Sequence, residues 1–338
     1  MPLYPFKFRP RFLEKIWGGR KFQTVLGKTM DSPKPMGESW ELFDFPPGIV
    51  DNSGQWSSVP IANGPLTGRT LHWAIEQFGA DLMGKVPLLP PHGQFPLLLK
   101  YLDACQSLSV QVHPDQGYAQ AHPGAHLKNE AWYVVQHEPG AMLFKGLNAG
   151  ADRQALSRAI GQGTVMNLLN AIPVKVGQCH YLPSGTVHAL GAGILVAEVQ
   201  TPSDTTFRLF DYNRLDDATG RPRTLHVEQA LECIDFSGRP ETPQPRTHLG
   251  GMFTTVSRLV TCPYFKLEKV RFSEGVEQAV PYDQPVIWMM LEGQARLKVA
   301  DLSESVQLSG GDTVLLPAKM KDPMIKTLTD CQWLEITL

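Results

Sequence analysis

Residues 97 to 133, LLLKYLDACQSLSVQVHPDQGYAQAHPGAHLKNEAWY, decide how the rest of the chain is read. An apolar β run ends in Gln111, Val112 and His113, and Glu130 follows after a polar loop. Side chains alternate along a strand, so Gln111 and His113 fall on one face and Val110 and Val112 on the other. An amide oxygen and an imidazole nitrogen two residues apart, with a carboxylate arriving from the next strand, supply three donors for a borderline divalent cation. A fourth is needed, and it stands at His188 within residues 177–191, GQCHYLPSGTVHALG.

Around this stretch β patterns dominate. LLLKYLDA, LSVQV, AWYVV and AMLF, all within 97–144, are period-two or continuous apolar runs, the sign of a β core. Residues 151–171, ADRQALSRAIGQGTVMNLLNA, read as one or two short helices, and β runs resume at 174–182 and 194–200. Ligands on either side need each other, so the helical piece, about 149–172, reads as an insertion between strands of one barrel. Upstream, residues 1–64 hold short apolar pieces broken by Pro and Gly; PKPMGESWELFDFPPG reads as a strand among loops, with Trp40, Phe43 and Phe45 as core aromatics. Residues 70–84, TLHWAIEQFGADLMG, have helical spacing after Thr70, a suitable N-cap.

Downstream, HVEQALECI at 226–234 reads as a helix and SGRPETPQPRTHLGG as a linker. From about 252 onward eight short strands follow, TTVSRLV, YFKLEKVRF, PVIWMMLEG, ARLKVA, SVQLS, DTVLLPA, MIKTL and QWLEITL, which suit a second jelly roll.

Composition agrees and sets limits. A chain of 338 residues is long enough for two compact domains. Gly and Pro number 30 and 28, about a sixth of the chain, an excess that many short strands joined by turns would produce. Lys plus Arg total 31 against 33 Asp plus Glu, with no block of one sign, which argues against nucleic acid or an anionic membrane as the main partner. No protein partner is evident either. The five cysteines are scattered, odd in number and without a C-x-x-C pair, so neither a disulfide framework nor a cysteine zinc site is indicated. The first residues, MPLYPFKFRPRFLEKIW, lack a basic head and an apolar core, and no run approaches 18 apolar residues. A cytoplasmic location is expected.

The two decisive stretches carry a resemblance. Gly177, Pro183, Gly185 and His188 have the spacing of the second motif of the cupin family. LLLKYLDA, LSVQVHPD and KNEAWYV resemble the metal-binding core of the type I phosphomannose isomerases, and IWGG at 16–19, GESWEL at 37–42 and SDTTFRLFDYNR at 203–214 are similar to that family's other signatures, in the same order. The resemblance covers roughly the first two-thirds of the chain. It implies a mainly β fold of two cupin-type jelly-roll barrels with a small α-helical insertion in the first. Residues 1–240 would form the metal-binding catalytic domain and 250–338 a C-terminal jelly roll without a metal site. In that second half Gly311 and Pro317 echo Gly177 and Pro183, but Lys319 replaces the next Gly and no His follows.

The resemblance implies the metal ligands Gln111, His113, Glu130 and His188. Two neutral imidazoles, an amide and one carboxylate leave a divalent ion with net charge and an open position, as a Lewis acid requires. Such N/O donors alone also admit Mn, Fe or Co; the resemblance favours Zn2+, one per chain. The activity implied is an aldose–ketose isomerisation of mannose 6-phosphate and fructose 6-phosphate through a cis-enediol. This needs an acid/base group, positive charge near the enediolate oxygens and a cationic grip on phosphate. By resemblance Arg208 is the active-site arginine, suited to electrostatic stabilisation or phosphate, since guanidinium is a poor base. Lys128 also matches a family position lining the site and pairs with Ser109 as a candidate phosphate grip, Ser109 sharing the strand face of Gln111 and His113. Asp204 and Glu198 are the carboxylate candidates for proton transfer, and Lys100 is a further substrate-binding candidate. Leu127 departs from the His or Gly found there in many relatives, so no ring-opening histidine is carried over. His122 and His126, separated by Pro123 and Gly124, read as loop residues, and His180 as a less favoured alternative to His188. Two rival readings are a non-catalytic phosphosugar-binding cupin sensor and an Fe-dependent cupin oxygenase; the first needs no open Lewis-acid position, and the second usually has more histidines.

Overall fold

The computed structural model describes residues 3–46, 57–215, 220–237, 247–280, 282–300, 302 and 304–338. Leu98–Ala104 is apolar on nearly every residue because it runs through the middle of a six-stranded antiparallel sheet and is buried on both faces. The strand order is Arg11–Gly19, Met36–Leu42, Leu98–Ala104, Ile194–Gln200, Glu130–His137 and Cys179–Leu182. A five-stranded sheet, ordered Phe207–Phe210, Val110–Val112, His188–Leu190, Met142–Leu147 and Leu169–Pro173, closes the first barrel. Leu102, Trp132, Val134, Ile194 and Val196 from the larger sheet share a core with Leu143 and Leu190 from the smaller.

The alternate residues of the six-stranded sheet point the other way. Leu99, Tyr101, Ala131, Tyr133, Ala197 and Val199 pack with Leu267, Ile287, Met289, Leu334 and Ile336 from a second, seven-stranded sheet. Two β faces buried against each other account for a continuous apolar layer between the barrels. The seven-stranded sheet runs His248–Gly250, Thr254–Thr261, Lys266–Phe272, Cys331–Thr337, Val286–Glu292, Thr313–Leu316 and Phe6–Lys7, so it draws on both halves of the sequence. A four-stranded sheet, Glu277–Ala279, Met324–Thr327, Gln294–Lys298 and Val306–Ser309, covers its other face over a core that includes Trp288, Trp333, Leu297, Leu308 and Ile325. The molecule is thus mainly β and built from two jelly-roll-like barrels, as expected.

Details differ from the expectation in three places. The helix expected over 70–84 is two pieces, Leu71–Phe78 and Ala80–Met83, because Gly79 takes φ +45 between them; Thr70 does cap the first, accepting from Trp73 N at 3.2 Å. In the inserted region helix Arg153–Gln162 ends at Gly163 in the left-handed conformation, and Leu169–Pro173 already pairs with Met142–Leu147 as a strand. Of the stretch read as a linker, residues 238–246 lie outside the described residues, while His248–Gly250 is an edge strand on Thr254–Thr261. The expected helix at 226–234 is present as Val227–Cys233 and covers the outer face of the five-stranded sheet together with Arg153–Gln162. No helix among the described residues is long and apolar enough to cross a membrane.

Candidate metal centre and active site

Three of the four expected donors lie on strands, Gln111, Glu130 and His188, and His113 follows directly after the strand Val110–Val112. Gln111 lies directly opposite His188, and Glu130 begins the strand that pairs with Ile194–Gln200 in the facing sheet. Gly185 makes the preceding turn possible: its φ is +83, its N–H donates to His113 O at 3.0 Å, and an added Cβ would lie 3.1 Å from Cys233 O. His188 Nε2 lies 3.1 Å from Glu130 Oε1, His113 Nε2 lies 3.4 Å from Glu130 Oε2, and Gln111 Nε2 lies 3.3 Å from His188 Nε2. All four side chains are buried.

The tautomers follow from the other ring nitrogens. His113 Nδ1 sits 3.0 Å from Thr205 O and His188 Nδ1 2.8 Å from Thr186 O, so each Nδ1 carries the proton and donates it to a carbonyl. Both Nε2 lone pairs therefore face the carboxylate. Two lone pairs aimed at an anion, with His113 Nε2 left without a hydrogen-bond partner, form an arrangement that fits a cation between them. Burial, reinforced by the Lys128 ammonium, pushes the His113 pKa down to about 3, so its imidazole is neutral and able to ligate. Burial works against ionising Glu130, yet the Lys128 ammonium beside it holds its carboxyl well below the usual range. Rotating the Gln111 amide by 180° presents its oxygen to the same point. Among the described residues, His113, Glu130 and His188 form the one group of three or more His, Cys, Asp or Glu side chains that could hold a metal ion.

Cations surround this centre. Lys128 Nζ lies 3.0 Å from Glu130 Oε2. The segment carrying Lys128 is held by Thr201, whose Oγ1 accepts from Asn129 N and donates to Leu127 O, both at 3.1 Å, and by Ser203 Oγ, which donates to His126 O at 3.0 Å. Arg208 stands opposite Gln111 on the other side, and its Nη1 donates to Thr224 O at 2.8 Å. Burial and the nearby Arg223 and Arg214 lower the Arg208 pKa from its ordinary value, although the guanidinium remains charged. Arg223 and Arg214 themselves both grip Asp211. Lys145 lies opposite His188 in the same rung and is buried, a position the sequence reading did not single out.

The remaining candidates separate. Lys100 and Glu198 face each other in register at 3.8 Å between Nζ and Oε1, and Lys100 also lies 3.4 Å from Glu38 Oε2. Burial opposes charge on Lys100, but Glu38, Glu198 and Asp204 hold its pKa above the usual lysine range. Burial raises the Glu198 pKa, and the negative charge of Glu130 adds to the effect. Ser109 is buried just before the strand Val110–Val112. Asp204 is exposed in the loop before Phe207–Phe210, close enough for its charge to act on Lys100. His180 pairs with Trp132, two residues along the strand from Glu130, and is outside the metal group. His122 is exposed and stacks on Tyr118 at 3.9 Å.

Sequence reasoning missed Glu38, Trp40 and Trp132 as members of the site. Trp40 Nε1 donates to Glu38 Oε2 at 2.7 Å and Trp132 Nε1 to Glu198 Oε2 at 2.7 Å. The available signal was parity, since Trp132 is two residues from Glu130 on one strand and Trp40 two from Glu38 on another. Beside the Lys128 loop a cavity of about 930 Å³ is walled by His126, Leu127 and Thr201 on one side and by Tyr264, Asp283 and Leu338 of the second barrel on the other. The four donors do not line it.

A two-barrel, mainly β protein with a buried His–Glu–His cluster inside one barrel has the architecture of a cupin-type metal-site protein. Residues 5–149 match the model of the phosphomannose isomerase type I catalytic domain. The chain is 37% identical over 321 residues to a mannose-6-phosphate isomerase of Streptococcus mutans, covering 94% of this chain and 93% of that one. It superposes on the crystal structure of the mannose 6-phosphate isomerase from Bacillus subtilis with a TM-score of 0.86 at 31% identity, over 99% of this chain and 100% of that one. A zinc-bound mannose 6-phosphate isomerase shares the fold at 17% identity, with a TM-score of 0.74 over 99% and 100% of the two chains. The chain belongs to the type I phosphomannose isomerase family.

Proposed function

We propose that the protein is a metal-dependent mannose-6-phosphate isomerase, interconverting mannose 6-phosphate and fructose 6-phosphate through a cis-enediol. The observation that carries this reading is the buried Glu130 carboxylate, faced by the Nε2 atoms of two imidazoles and paired with Lys128, in a chain of this family. Gln111, His113, Glu130 and His188 would hold one Zn2+ per chain; the N/O donor set and the zinc-bound protein of the same fold support that choice. When bound, the ion supplies Lewis acidity beside the reacting carbons.

The chain's own groups divide the remaining work. A carboxylate removes the C2 proton and returns it to C1. Glu198 suits this better than exposed Asp204, because burial raises its pKa and leaves Oε1 without a hydrogen-bond partner. Arg208 and Lys100 stand where negative charge on the enediolate oxygens would be stabilised, and Lys128 with Ser109 is the candidate phosphate grip. Residues 1–240 are read as the catalytic unit. The second barrel, 250–338, shapes one wall of the neighbouring cavity. All five cysteines are free, which suits a reducing cytoplasm.

A coupled assay supplies mannose 6-phosphate to the zinc-loaded protein and follows fructose 6-phosphate. Turnover is expected; saturable binding with no product would favour the phosphosugar sensor instead.

A further inference from the structure

One rung of the six-stranded sheet runs Trp132, Glu198, Lys100, Trp40, each residue directly opposite the next. Trp132 is fully buried and touches two parts of the site at once. Its Nε1 donates to Glu198 Oε2 at 2.7 Å, while Glu198 Oε1 is left without a hydrogen-bond partner, 3.8 Å from Lys100 Nζ. Its ring meets the His188 imidazole edge-on, with centroids 5.3 Å apart and planes at 84°. A carboxylate free to rotate would present either oxygen, whereas one tied at Oε2 presents Oε1 alone.

We propose that Trp132 is a positioning residue for the isomerisation, its indole N–H fixing Glu198 so that a single oxygen is aimed at the substrate. The inference rests on the reading of Glu198 as the group that carries the proton. The ring contact with His188 adds orientation of a metal donor, as partners behind metal ligands commonly do. The second barrel contains its own control. There Trp288 lies opposite Glu335 and donates to its Oε2 at 3.0 Å, so the same pair exists where, among the described residues, no group of side chains that could hold a metal stands beside it.

The test uses the full-length, zinc-loaded protein. Trp132→Phe removes the N–H together with part of the ring, and β-(3-benzothienyl)alanine at 132 removes only the N–H and keeps the shape. Both should lower kcat about 10–100-fold, the usual cost of losing a group that orients a site, with KM and metal content unchanged. Trp288→Phe should leave kcat within about twofold. In a Glu198→Gln background the change at 132 should cost nothing further, because the two act as one unit. A normal kcat for the isostere overturns the proposal, and so does a loss that is fully additive with Glu198→Gln. A normal kcat for Glu198→Gln alone overturns the reading of Glu198 and the proposal with it; a slow Glu198→Gln beside a normal isostere overturns the proposal only.

Discussion

The two barrels set matching strands in the same order and then diverge in a handful of side chains. Where the first has the rung Trp132, Glu198, Lys100, Trp40, the second has Trp288, Glu335, Glu268, Arg258. The tryptophan–glutamate pair is common to both, and replacing Lys100 by Glu268 reverses the charge beside it. Glu130 opens its strand in the first barrel, and Val286 opens the matching strand in the second. Opposite Gln111 stands His188; the matching strands pair Gln278 with Ile325, a core residue. Even the turns differ in use. Gly185 turns the chain toward His188, whereas Ala318 and Lys319 donate to Leu82 O and Asp81 O, anchoring a helix. The barrel is therefore a frame that accepts either a polar centre or an apolar core, and function follows from a few inward positions.

The largest effects should come from the proposed metal donors of the first barrel. His188→Ala should empty the metal site and abolish turnover, while His180→Ala, on the neighbouring strand, should keep the parent's metal content. Metal analysis of both variants checks this, and reversed contents would show that the wrong histidine has been assigned.

Arg208 should follow. If it stabilises charge that develops in the transition state, Arg208→Ala should lower kcat about 10²–10³-fold with metal content unchanged, and lysine there should recover only part. Lys128→Ala should act mainly on KM if the lysine grips phosphate in ground and transition states alike. Arg258→Ala, at the end of the second barrel's rung, should leave both constants within about twofold. A raised KM with normal kcat for Arg208→Ala would move the arginine from the reacting carbons to the phosphate.

The smallest effect concerns Glu335, whose carboxylate accepts from Tyr282 Oη at 2.6 Å and Trp288 Nε1 at 3.0 Å. Burial raises its pKa above the ordinary carboxylate value despite these donors. The folded state then binds this proton more tightly than the unfolded chain. Its contribution to stability is full below the unfolded pKa and falls as pH rises through the folded one. Glu335→Gln should flatten that part of the Tm-against-pH curve and leave kcat within about twofold. An unchanged slope in thermal scans across that range would show that Glu335 titrates as an exposed carboxylate.

Much of this was legible in the residues. Strand parity put Gln111 and His113 on one face and the glycine–proline–glycine–histidine spacing pointed to His188, while the full donor set with Glu130 was what the family resemblance implied; local patterns of this kind set backbone geometry directly. The β cores were equally plain, since Leu98–Ala104 and Val286–Glu292 carry apolar residues on both parities, broken only by Lys100, Asp103 and the terminal Glu292. Pairing across strands was not legible. Trp40 is 60 residues from Lys100, and only sheet register shows that it lies under that ammonium, 4.7 Å from ring centroid to Nζ, instead of serving purely as a core aromatic. The break at Gly79 and the strand Leu169–Pro173 were missed for a related reason: helical spacing in a short window cannot show where a neighbouring strand will capture the backbone.

The most direct measurement is metal content set against turnover. After dialysis of the parent protein against a strong chelator, about one metal ion per chain should be lost together with isomerase activity, and Zn2+ should restore both in proportion. Full turnover by rigorously metal-free protein would contradict the account.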